Sequence, residues 1–251
     1  MLTELLLIAP LGMLYYFKWI RLWEYLVILF VFYWLPKCIF IKNLKKLFPH
    51  ILFNNKNKNN QIALTFDDVP YDATTFLKIV ALLDQYNMKG TFFVISDYIT
   101  DTNIQQLVNM VRNGHQLCNH GKTNSMHALK SETSLYEEIN ICNEKINQIY
   151  RLAGIVPPVK KFYRPGCGIV SPTINKMCND KYIITLGSVY PNDPIFCIPY
   201  WNYLYLKWHI SSGDIVILHD REWTPDTLYY LLPWLKENNY TSDTLDEFVK
   251  N

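Results

Sequence analysis

This chain has no paired-cysteine motif, no glycine-rich loop and no strong charge of either sign. Its six cysteines, Cys38, Cys118, Cys142, Cys167, Cys178 and Cys197, form no C-x-x-C pair and no zinc-ribbon spacing, so they decide neither compartment nor metal. Glycine occurs nine times in 251 residues, and no phosphate-cradling glycine-rich loop follows Phe66-Asp-Asp, which argues against a phosphatase. The formal net charge is only +2, and there is no arginine-rich tract or aromatic-basic alternation, so nucleic acid is not the expected partner. No internal repeat recurs at a fixed period. Tyrosine, asparagine, lysine and isoleucine are abundant, a compositional bias without functional content.

What is present begins with Gln61-Ile-Ala-Leu-Thr-Phe-Asp-Asp-Val-Pro70, a short apolar run that ends in two carboxylates. Such a run reads as a buried strand, and α/β folds place their chemistry at the C-terminal ends of strands. Adjacent acids on extended backbone point in opposite directions, so Asp67 and Asp68 can serve two different partners. An Asp-Asp turn in solvent before Pro70 is the plainer alternative.

The odds shift with four later segments, each following an expected strand. They are Cys118-Asn-His-Gly-Lys-Thr-Asn-Ser-Met-His127, Phe162-Tyr-Arg-Pro-Gly-Cys-Gly168, Gly187-Ser-Val-Tyr-Pro-Asn-Asp-Pro194 and Asp214-Ile-Val-Ile-Leu-His-Asp220. Strands are expected at 61–66, 90–95, 116–119, 162–164, 182–186, 214–218 and 240–242, with helices at 75–86, 104–112, 134–150, 171–178 and 227–237 between them. This alternation implies a parallel sheet, and about seven strands suit a barrel.

In the order and spacing of these five motifs, residues 60 to 251 resemble the polysaccharide deacetylases, the NodB-homology domain of carbohydrate esterase family 4. The resemblance implies a distorted (β/α)7 barrel and a metal-dependent hydrolase that removes N-acetyl groups from N-acetylated glycans, with zinc the expected ion. It also assigns roles. Asp67 is the general base, held by Arg164; Asp68 and His120 are metal ligands; His219 is the acid, oriented by Asp193. The Cys167 N–H faces the oxyanion and Leu218 lines the acetyl pocket. The family's second ligand histidine lies four residues after the first, where this chain has Asn124. His127 is expected to complete the metal set, since catalytic zinc takes three protein ligands; a weak Asn124 carbonyl ligand or a broken site are the alternatives. Val69 and Pro194 stand where glycine and tryptophan are usual. The competing function is a catalytically weakened or inactive glycan-binding member of the same fold.

The first fifty residues differ in kind. Residues 5–17 are uniformly apolar, and 25–41 are apolar except for Lys37, with tryptophan and tyrosine at the flanks. They are read as a membrane-anchor segment (1–50) with membrane contact through residues 5–41, by one or two passes, although the length also permits buried helices. A cleaved signal peptide is not expected, because Met1-Leu-Thr-Glu carries no positive n-region. Residues 51–60, rich in asparagine and lysine, read as a linker, and 61–251 as the enzyme domain. Membrane side and oligomeric state stay open.

Overall fold

The computed structural model describes residues 21–35 and 37–250, the side chains of residues 38, 39 and 178–180 apart. Nine-residue β1 (Gln61–Val69) is the organising strand, and every residue of it after Gln61 is buried. It pairs in parallel with β2 (Gly90–Val94) on one side and β6 (Ile215–His219) on the other, while β7 (Thr241–Ser242) pairs with its first residues. From β2 the sheet continues through β3 (Gln116–Asn119) and β4 (Phe162–Tyr163) to β5 (Ile183–Ile184), all parallel. Parallel strands need crossovers, which are supplied by α3 (Ala73–Gln85), α4 (Ile104–Arg112), α5 (Glu132–Ala153), α6 (Pro172–Asp180) and α8 (Thr224–Glu237).

The result is a half-barrel of seven parallel strands. Between β5 and β6 the ladder shrinks to the bridge Val189–Val216, leaving a seam. Alternation along the strands separates two apolar layers. Leu64, Phe66, Val216 and Leu218 join the large cluster under the helices, whereas Ala63, Phe93, Phe162 and Ile215 meet inside the curve of the sheet with Leu245 and Phe248 of α9 (Leu245–Phe248).

Helix α7 (Pro199–His209) is not foreshadowed by the sequence. It buries only Asn202, Tyr205 and Leu206 and exposes Tyr200 and Trp208, so its aromatics surround the helix and blur the 3.6-residue period.

The N-terminal expectations need correction. The apolar run 25–41 is two helices, α1 (Leu22–Trp34) and α2 (Cys38–Leu47). A residue before proline is driven out of the helical region. Leu35 obeys, with φ −64° and ψ 144°, and ends α1. At 1.5 Å per residue the 13 residues of α1 span about 20 Å, short of the roughly 30 Å hydrocarbon core. Among the described residues no helix is long and apolar enough to cross a membrane, and the first apolar run, 5–17, lies outside them.

Both helices pack on the sheet domain. Tyr33 and Trp34 of α1 join Trp201 and Tyr205 of α7 in an aromatic cluster, and the Tyr33 hydroxyl donates to the Pro191 carbonyl at 2.8 Å. Ile41, Leu44 and Phe48 pack against Ile51, Phe53, Tyr163 and Ile184, so α2 lies along the seam. The expected linker is likewise part of the fold. Ile51 and Phe53 are buried, Leu52 bridges to Thr185 and Asn54 to Asp214, because these backbone groups supply pairing that the gap between β5 and β6 would otherwise lack.

Candidate functional site

All five motifs converge at the C-terminal ends of the strands, around one cavity of about 390 Å³. Asp67 and Asp68 close β1, His120 follows β3, Arg164 follows β4 and His219 ends β6. The two acids do not diverge as they would on a regular strand. The register slips between Phe66 and Val69, and Asp68 takes a left-handed backbone with φ 63°, so both carboxylates line the same cavity. Such a conformation costs on the order of 1–3 kcal/mol and persists only where its surroundings impose it.

The acids nevertheless serve different partners. Asp67 Oδ1 accepts from Arg164 Nη1 at 2.5 Å. Arg164, 2% exposed, also donates to Thr65 Oγ1 and the Thr185 carbonyl, and its guanidinium lies 4.1 Å over the Phe93 ring. Asp68 faces His120 Nε2 at 3.5 Å and accepts from Arg221 Nη2 at 2.5 Å. Burial by itself would raise the Asp68 carboxyl, but the His120 hydrogen bond and the charges of His120, His219 and Arg221 hold it well below the usual carboxylate range. His120 Nδ1 donates to the Arg164 carbonyl, which leaves Nε2 turned toward Asp68. Burial opposes protonation of His120, yet the charges of Asp67 and Asp68 keep its pKa above the ordinary histidine value.

Across the cavity, His219 Nδ1 donates to Asp193 Oδ1 at 2.9 Å, and the His219 N–H donates to Asp193 Oδ2. Asp193 is fully buried, so the imidazole is fixed by two bonds to one carboxylate and presents Nε2 to the cavity. Against the opposing effect of burial, the Asp193 charge and hydrogen bond raise the pKa of His219. A guanidinium-held carboxylate can accept a proton and a carboxylate-held imidazole can deliver one.

Two sequence expectations fail here. His127 does not turn toward Asp68. Its Nδ1 receives the Tyr163 hydroxyl at 2.6 Å and the Gly166 N–H at 3.0 Å, and Nε2 donates to the Thr123 carbonyl. The ring lies so close over Gly121, whose φ is +87°, that a Cβ there would sit 2.4 Å from His127 Cε1. Burial lowers its pKa to about 4, so it is a neutral, fully engaged core residue. Asn124, not His127, lines the cavity beside Asp68 and His120. Leu218 does not line the acetyl pocket either. It alternates with His219 on β6 and packs under the helices, and Ile217 takes the cavity face. Cys167 does line the cavity, in a left-handed turn with φ 61°.

The charged residue that pairs with Asp68 in the cavity had no sequence expectation attached. Arg221 follows His219 by two positions, stacks 4.3 Å from the Tyr71 ring and places a permanent positive charge on Asp68. Its only signal is its position, directly after the His219-Asp220 pair. With Arg221 on one carboxylate oxygen, a neutral amide at position 124 and His127 withdrawn, the residues do not fit a three-ligand zinc site. Among the described residues no cluster of three His, Cys, Asp or Glu donors forms.

Comparison with known proteins agrees with the fold and with the family resemblance. The chain is 27% identical over 215 residues to a peptidoglycan-N-acetylglucosamine deacetylase of Bacillus cereus, covering 82% of this chain and 97% of that protein. Its fold is similar to that of a family 4 acetyl xylan esterase from Clostridium thermocellum in complex with a cobalt ion, at 30% identity and TM-score 0.66, covering 75% of this chain and 89% of that one. A carbohydrate esterase family 4 pseudoenzyme from Bacillus anthracis shares the fold at 19% identity and TM-score 0.69, covering 79% and 68% of the two chains. The sequence profile that describes polysaccharide deacetylases matches residues 54–181, from the stretch before β1 to the end of α6, and the chain therefore belongs to the polysaccharide deacetylase family.

Proposed function

We propose that this protein hydrolyses the N-acetyl group of N-acetylated sugars, with N-acetylglucosamine units, the target named for its Bacillus cereus relative, as the expected substrate. The observation that carries the reading is the pairing of Asp67 with Arg164 and of His219 with Asp193 on one cavity. In this reading Asp67 takes the proton of a water that attacks the acetyl carbon, and Arg164 keeps the base aimed. The Cys167 N–H and the Arg221 guanidinium supply positive charge to the developing oxyanion, as such sites require. His219 Nε2 then protonates the departing nitrogen, the C–N bond breaks, and acetate and the free amine leave.

A divalent ion, zinc by expectation, would find Asp68, His120 and the Asn124 amide as donors, with Arg221 competing for Asp68. The amide at 124 favours a second reading, a glycan-binding member without turnover. Acetate release from N-acetylchitooligosaccharides separates the two, with bound metal measured on the same samples. Release by the wild type and its loss, by on the order of 100-fold or more, in Asp67→Asn supports hydrolysis. Sugar binding without release in the wild type leaves the second reading.

A membrane location is proposed on separate grounds. Leu22, Trp23, Leu26, Val27, Phe30 and Val31 of α1 are exposed, and α2 carries Lys42, Lys45 and Lys46, a combination suited to lying in an anionic lipid interface. Cosedimentation with phosphatidylserine vesicles that survives high salt is the expected result, and recovery of the full chain in the supernatant would overturn it.

A further inference from the structure

The cavity that holds Asp67 and His219 has two unlike ends. Its mouth, beyond the C-terminal ends of the strands, carries Asp68, His120, Asn124 and Arg221, whereas its inner end follows β6 into the curve of the sheet. Ile215, Ile217 and His219 share the inner face of β6, and the lining continues past Ile217 to Ser188, whose N–H donates to the Ile215 carbonyl at 2.9 Å. From His219 to Ile215 is roughly 13 Å along the strand, at about 3.3 Å per residue. Gly187, with φ +71°, lays the segment after β5 directly on β6, since a Cβ there would sit 2.8 Å from Ile217 Cγ1 and 2.9 Å from the Ile215 carbonyl oxygen. Phe40, Ile41 and Leu44 of α2, spaced to share one face of the helix, supply the facing wall together with Phe53 and Leu186. The inner end is therefore walled in carbon.

Polar side chains near this end are committed elsewhere. Arg164 donates to Asp67, Thr65 and the Thr185 carbonyl, the Ser188 hydroxyl donates to Asp214 at 2.9 Å, and Lys37 Nζ lies 5.9 and 5.8 Å from the Tyr33 and Tyr205 ring centroids. A sugar ring placed there would bury its hydroxyls against carbon at a cost, whereas an alkyl chain gains from the same surface. The reacting groups fix the orientation. Asp67 and His219 pair in register at the ends of β1 and β6, so an amide held between them points one substituent out of the strand ends and the other along the inner face of β6. The hydroxylated amine suits the mouth, and the acyl group takes the inner end.

We propose that the inner end of this cavity is an acyl pocket, and that the substrates are amino sugars N-acylated with an unbranched chain of medium length, not with acetyl alone. Release of the chain rests on the hydrolase reading of Asp67 and His219; its binding does not. In that release water bonds through its oxygen to the acyl carbon and yields a proton to Asp67, the C–N bond breaks, His219 Nε2 protonates the nitrogen, and an alkanoic acid and the free amino sugar leave.

Calorimetric titration of the full chain with N-acetyl-, N-butanoyl- and N-hexanoylglucosamine tests the binding, and a fluorogenic amine reagent measures release from the same probes. A fully buried methylene strengthens binding about fourfold and hexanoyl carries four more than acetyl, so a gain of about tenfold or more across the series is expected. Amine release from the hexanoyl probe should at least match that from the acetyl probe. Leu44→Trp puts an indole into the pocket and should bring the hexanoyl-to-acetyl affinity ratio to within about twofold of one. Phe40→Ala, at a half-buried position, removes part of the wall and should weaken hexanoyl several-fold more than acetyl, which keeps the test decisive if Leu44→Trp does not melt as a folded protein. Equal or weaker binding of the longer chains by the wild type, a length preference that the folded variants retain, or a hexanoyl probe that binds more tightly yet yields no amine while the acetyl probe does, overturns the proposal. Amine release from the acetyl probe without any length preference removes the pocket and leaves the hydrolase reading standing. The length preference with no amine from any probe refutes the hydrolase reading alone.

Discussion

Replacing Arg164 by methionine tests the central ion pair, because methionine keeps the packing against Phe93 and removes only the charge and the donors. In the native chain the guanidinium supplies three hydrogen bonds, to Asp67, Thr65 and the Thr185 carbonyl, at a position only 2% exposed. Its loss leaves the Asp67 carboxylate, 4% exposed, without its hydrogen-bonded guanidinium partner. Breaking a buried pair by removing one partner costs about 3–5 kcal/mol. Against a total stability of roughly 5–15 kcal/mol this is a large fraction. At about 2–4 °C per kcal/mol for a chain of this size, Tm should fall by about 6–20 °C. Urea denaturation followed by tryptophan fluorescence gives the free energy directly. The decisive control is Asp67→Asn in the Arg164→Met background. Removing the orphaned charge should restore part of the loss, with a coupling energy of about 0.5–3 kcal/mol. A loss below about 1 kcal/mol in Arg164→Met, or no rescue in the double variant, would refute the buried-charge argument.

Three further outcomes are expected. Gly121→Ala forces a left-handed alanine against His127, which Tyr163 and Gly166 hold in place, and should lower stability by about 1–3 kcal/mol in a thermal melt; a loss under half a kcal/mol would mean the loop yields. Because Asp193 raises the pKa of His219, the protonated acid persists above the ordinary histidine range, and Asp193→Asn should move the alkaline limb of the acetate-release profile to lower pH; an unmoved limb removes His219 from the acid role. His115 is neutral in the fold, since burial lowers its pKa to about 4 while Nδ1 accepts the Gly90 N–H. The unfolded chain takes up that proton near pH 6.5, so stability should drop by up to about 3 kcal/mol between pH 6.5 and 4, and His115→Gln should flatten the slope. An identical slope in the variant would assign acid sensitivity elsewhere.

Much of this molecule was legible because strand ends announce themselves. The run into Asp67-Asp68 was readable from its apolar strand alone, whereas Arg164, Asp193 and His219 were reached through the order of the five motifs and the family they resemble. What escaped depends on side-chain direction and on contacts distant in sequence. Leu218 and His219 are neighbours in the chain and opposites across the sheet, so the expected lining residue was one position off. His127 has the residue type of a ligand, and only the glycines at 121 and 166 reveal that the loop folds its ring inward. Arg221 carries no motif of its own; its importance comes from Asp68, 153 positions earlier. Pro36 was the readable sign that the apolar run breaks, yet apolarity outweighed it.

The placement of α2 along the seam makes a segment outside the sheet part of the cavity wall. Phe40, Ile41 and Leu44 form one wall of the cavity that holds Asp67 and His219. Variation in these ten residues can therefore reshape that cavity without touching a single strand, and a fragment begun at β1 would lose this wall together with the buried Ile51 and Phe53 on which α2 packs.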